Sequence, residues 1–154
     1  MGTHKECVID TTVLRKANAP LSRAPKERSK FRVRLRLLSK VRNGELIVLV
    51  SPRLLDEYQR QILSPRNDLI RAFFVVLSRQ GPGGAVPNWA TPWGGSERSK
   101  ASKCRFPHED THVLRTAVRP NQSWIATEED RMLRTDACIH RTFAVHVVSP
   151  HALL

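Results

Sequence analysis

Cysteine is scarce in this chain, with three residues (Cys7, Cys104, Cys138) and no Cys-x-x-Cys pair. An odd count without that spacing argues against a disulfide scaffold and against a zinc ribbon. Aromatic residues make up only 6%, and no apolar run approaches the roughly 18 residues of a membrane span. The opening MGTHKECVID lacks the apolar core of a signal peptide. These absences exclude disulfide-rich and membrane classes and predict a soluble, cytoplasmic domain in a reducing compartment. Negative charge is also short, with 14 Asp and Glu against 26 Lys and Arg, a net +12 over 154 residues. A surface this positive attracts polyanions, nucleic acid first among them. Seventeen residues, Lys26 to Arg42, hold eight basic side chains and one acid, +7 of that total.

The apolar runs are short and suit strands buried on both faces. Glu6 to Asp10, Glu45 to Val50, Ser123 to Thr127 and Phe143 to Val148 are the four candidates. Lys26 to Arg42 alternates like a strand but also carries Phe31, Leu35, Leu38 and Val41 on one helical face. Its length and the Asn43-Gly44 stop favour a helix, with Phe31 and Leu35 packed on the core. Ser51-Pro52 reads as a helix start, serine capping and proline in the first turn. Further helices are expected at Leu69 to Leu77 and Asp110 to Val118, and a loop at Asn18 to Pro25. Gly81 to Lys103 is rich in Gly, Pro and Ser and reads as a long, poorly ordered loop. Strands alternating with helices predict one α/β domain with a mainly parallel sheet of four to five strands, covered on both sides.

Few acids in a basic chain make their positions informative. Asp10 closes the first strand, Glu57 lies in the helix after the second, Asp110 opens the helix before the third, and Glu128-Glu129-Asp130 follow the third. Strand C-termini and the following helix N-termini share one edge of a parallel sheet, so these acids can converge. Clustered carboxylates repel and raise one another's pKa. A hard divalent cation with all-oxygen ligands, Mg²⁺ or Mn²⁺, relieves that repulsion and supports phosphodiester hydrolysis. Plainer roles stay open: a turn cap for Asp10, a dipole partner for Asp110, a solvated charge for Glu57, an acidic first helical turn for residues 128–130.

The ordered set of motifs resembles the PIN-domain family and, within it, the toxin components of prokaryotic (Vap-type) toxin–antitoxin systems. Val8-Ile9-Asp10-Thr11-Thr12-Val13-Leu14 is similar to the family's first-strand motif, hydrophobic-Asp-Thr-Asn-Val-Leu. Leu49 to Tyr58 resembles its strand–Ser-Pro–helix segment, with the glutamate on Glu57. Asp110-Thr111-His112-Val113-Leu114-Arg115-Thr116-Ala117 matches Asp-x-x-x-Leu-x-x-Ala, Trp124 to Asp130 resembles Tyr-Ile-Val-Thr-x-Asp, and Val147 to Pro150 is similar to the last strand. The match runs from residue 7 to 154. It implies a three-layer α/β/α sandwich and a Mg²⁺/Mn²⁺-dependent endoribonuclease acting as a toxin, with RNA as substrate, a small antitoxin protein as partner, and a homodimer. Carried over residue by residue, Asp10, Asp110, Glu57 and Glu129 form the metal and catalytic set, with Thr127 orienting a carboxylate or water. Asp130 replaces Glu129 if the turn shifts by one. Three positions depart from the family: Thr12 stands for Asn, Glu129 for Asp, and Arg131 where a further Asp is common.

Lys30, Arg32, Arg34, Arg36 and Arg53 are the candidate nucleic-acid contacts, arginine providing forked phosphate binding. Trp89 and Trp93 are candidates to stack on single-stranded bases, although folding the loop back onto the domain is the commoner use of such rings. Cys104-x-x-x-His108 and Cys138-x-His140 are not good zinc spacings. A PIN-like module that binds RNA or protein without cutting, and a housekeeping RNA-processing nuclease without antitoxin, remain alternatives. The same pit would also suit DNA, since nothing in the motifs reads a 2′-hydroxyl.

Overall fold

The computed structural model describes residues 4–79, 81–90 and 92–154. Five strands, β1 (Lys5–Ile9), β2 (Leu46–Val50), β3 (Val86–Pro87), β4 (Ser123–Ala126) and β5 (Val145–Val148), form one sheet of order β3-β2-β1-β4-β5. Every pairing is parallel. Cys7, Val8 and Ile9 of β1 are all fully buried. Consecutive residues point to opposite faces, so the central strand is covered on both.

Among the described residues eight α-helices flank the sheet: α1 (Thr11–Ala17), α2 (Pro25–Arg42), α3 (Pro52–Gln61), α4 (Asp68–Ser78), α5 (Gly95–Lys103), α6 (Thr111–Ala117), α7 (Asp130–Leu133) and α8 (Asp136–Phe143). The ambiguous basic segment is helical, as expected. Its deepest residues are Arg34, Leu37, Leu38 and Val41, while Phe31 and Leu35 are only partly covered. Ser51 Oγ accepts from the Leu54 amide and Pro52 opens α3, fixing the entry after β2.

Two expectations are corrected. The Gly81–Lys103 stretch holds the short edge strand β3 and the helix α5, whose start is secured where Glu97 Oε2 accepts from the Gly94 amide at 2.9 Å. Cys104 and Cys138 form a disulfide, leaving Cys7 as the free, buried cysteine. It is a single staple on a domain with an extensive core of its own, and those two sulfurs are not available as zinc ligands. Among the described residues no helix is long and apolar enough to cross a membrane.

The direction in which strands are added across the sheet reverses at β1. β2 and β3 are laid down on one side of it, then β4 and β5 on the other. The crevice between the C-terminal ends of β1 and β4 is therefore the topological switch point, where open α/β sheets place ligands.

Candidate active site

The carboxylates gather at that crevice. Asp10 follows β1, tied to β4 by its amide, which donates to Ala126 O at 2.9 Å. Thr127, fully buried beyond β4, donates from Oγ1 to Asp10 Oδ2 at 2.8 Å and accepts from the Glu129 amide at 3.1 Å. One hydroxyl thus sets both the Asp10 carboxylate and the backbone that carries Glu129. Thr12 donates to Glu129 Oε1 at 3.2 Å.

Glu57 reaches the same place from α3. Thr11 donates to its Oε1 at 2.5 Å, and His112 Nε2 lies 2.6 Å from its Oε2. The His112 hydrogen bond, helped by Thr11, holds Glu57 below the ordinary carboxylate range despite its burial. Neither Thr11 nor His112 stood out in the sequence as a site residue. The signal was their placement one residue after Asp10 and two after Asp110, on the first turns of α1 and α6.

Electrostatics identify which acids face one another. Burial pushes Asp10 up to about 6, and repulsion from Glu129 and Glu57 adds to it. Asp110, just before α6, is also raised to about 6, by burial first and then by Asp10, Glu129 and Glu109. Asp10, Glu57, Asp110 and Glu129 are thus brought together. Asp130 is not: it opens α7 on the exposed side, and Glu129 takes the inward position. Arg131 points to solvent and pairs with Glu109 at 2.6 Å.

The basic candidates divide. Lys30, Arg32 and Arg36 are exposed along α2, and Arg53 is exposed on α3, acting on Glu57 through its charge. Arg34 is only 3% exposed and is turned inward. Its Nε and Nη2 donate to both oxygens of Glu128, at 2.6 and 2.7 Å. Burial raises the Glu128 pKa, yet this fork and the Arg34 charge win and hold it below the usual range. Arg34 is therefore a structural strut between α2 and the end of β4, which corrects its place among the nucleic-acid contacts.

The donor set suits a hard divalent cation. It is all oxygen, Asp10 and Asp110 are raised by burial and by neighbouring acids, and Glu129 Oε2 is buried with no hydrogen-bond partner. Among the described residues, however, no three His, Cys, Asp or Glu side chains stand as a ready-made ion-binding group. The fit is one of donor type and charge. Compared with family models, with curated proteins and with solved structures, the chain matches none.

Proposed function

We propose that the protein is a Mg²⁺- or Mn²⁺-dependent endoribonuclease that hydrolyses RNA phosphodiesters at the carboxylate pit, as the toxin of a toxin–antitoxin pair. The observation that carries the chemistry is the convergence of Asp10, Glu57, Asp110 and Glu129 at the sheet's switch point in a chain of net charge +12. Asp10, Asp110 and Glu129 would hold the cation, with Glu57 beside them. When bound, such an ion acidifies water and offsets charge on the leaving oxygen. Thr127 keeps Asp10 oriented and Thr12 does the same for Glu129. Thr11 and His112 keep Glu57 ionised and fixed, and Arg53 supplies positive charge for a phosphate next to the pit. The toxin role, the small antitoxin partner and a homodimer come from the resemblance to the PIN-domain group.

The test is incubation of RNA with wild type and Asp10→Asn across Mg²⁺ and Mn²⁺. Metal-dependent cleavage by wild type, lost in the variant, is the expected result. Absence of cleavage, or equal cleavage by both, overturns the reading. A second reading, an RNA-binding module that has lost catalysis, draws on the acids not being closed around a point. Salt-sensitive RNA binding without cleavage, and calorimetry with Mn²⁺ finding no site that Asp10→Asn removes, would favour it. A small protein encoded beside this chain that suppresses cleavage separates toxin from housekeeping nuclease.

A further inference from the structure

A groove of about 370 Å³ shares a wall with the acidic pit. Thr111 and His112, which follow Asp110, line it together with Arg53, and His112 also holds Glu57. Trp89, Trp93 and Arg98 line the same groove. Arg53, Arg98 and Arg115 make the lining positive, and its acid, Glu109, is already neutralised by Arg131.

Both indoles are packed against neighbours. The Arg115 guanidinium lies over Trp89, 3.9 Å from the ring centroid, and its Nε donates to Ala90 O at 3.0 Å. On the other flank, Asn88 Nδ2 donates to Thr116 O and Val118 O at 2.7 and 2.8 Å. The residues on either side of Trp89 are thus fastened to α6 and its end, while the indole itself stays 37% exposed. Trp93 is stacked on Phe143 of α8, centroids 5.6 Å apart. A ring held among arginines offers a flat face for stacking with positive charge beside it. Unpaired nucleotides combine a flat face with a phosphate, and a paired base within a duplex does not offer its face.

We propose that this groove seats an unpaired nucleotide of an RNA strand whose neighbouring phosphate enters the pit, the base stacking on Trp89 and the backbone contacting Arg98 and Arg53. The inference rests on the nuclease reading for its substrate, but binding in the groove is measurable without cleavage.

The experiment uses a fluorescently labelled, unstructured ten-nucleotide RNA in excess chelator, followed by anisotropy and by quenching of tryptophan emission. Trp89→Ala should weaken binding roughly tenfold, and Trp89→Phe should restore most of it. Arg98→Ala should weaken binding and lower the salt dependence by about one charge. A duplex of the same sequence should bind more weakly and respond little to Trp89→Ala. Binding of Trp89→Ala within twofold of wild type overturns the proposal. So does quenching by a polyglutamate peptide at the same concentration as RNA, which would make the groove a site for acidic protein. If Trp89→Ala loses binding while wild type never cleaves with Mn²⁺, the groove stands and the nuclease falls. If both proteins bind and cleave alike, the reverse holds.

Discussion

A buried aspartate with no cation beside it works against the fold at neutral pH. Asp10 is 3% exposed, and its pKa is raised from 3.8 to about 6. The native state therefore holds this proton more tightly than the unfolded chain. Its contribution is stabilising below the unfolded value and is lost as pH rises through about 6. In chelator, Asp10→Asn should raise urea stability at pH 7 by about 2–3 kcal/mol and flatten the fall in stability between pH 4 and 7. Saturating Mn²⁺ should narrow that gap by stabilising wild type alone. Arg34 and Glu128 pose the opposite case, a buried pair that cannot lose one member cheaply. Arg34→Ala should cost about 3 kcal/mol, read from denaturant melts, because Glu128 is left charged and unpaired. Asp10 and Asp110 stand out in the sequence because an acid at a strand end or a helix start is visible as a change of residue type. Glu57, inside α3, and the choice of Glu129 among residues 128–130 rest on the motif resemblance. The sequence does not separate Arg34 from Arg32 and Arg36, because inward or outward direction on one turn depends on a partner 94 residues away.

At the scale of elements, α2 presents Lys30, Arg32 and Arg36 to solvent while Leu37, Leu38 and Val41 bury its other side. Replacing those three basic residues by glutamine should leave the melting temperature within a few degrees and weaken RNA binding. The slope of log affinity against log salt should fall by about two to three if all three contact phosphates. An unchanged slope would make this face a solvated surface only. The strands other than β3 and the helices α2, α3, α4 and α6 are legible because continuous apolar runs, a helical apolar face and the Ser51-Pro52 start are local signals. The helix α5 is hidden by composition: Gly94, Gly95 and three serines among residues 96–102 look like loop, and its anchors, Glu97 on Gly94 and Cys104 on Cys138, are visible only in three dimensions.

For the whole molecule, the disulfide joins the end of α5 to α8 across a 34-residue separation. Closing a loop of that size restricts the unfolded chain, and reduction should lower stability by about 3–4 kcal/mol, measured by denaturant titration with and without dithiothreitol. The three-cysteine count pointed the other way because pairing depends on proximity rather than number. The parallel sheet carries a further consequence for the order of events. Asp10 emerges with the first strand, yet it meets Thr127 and Glu129 only after β4, and β4 lies between β1 and the last strand, β5. No hairpin joins any two neighbouring strands, so each pairing closes a long loop and forms slowly. A chain still leaving the ribosome holds Asp10, Glu57 and even Asp110, but not the pit they belong to. Under the proposed nuclease reading, the pit stays incomplete until residues 127–129 have left the ribosome, so cleavage would have to wait until most of the chain has been made.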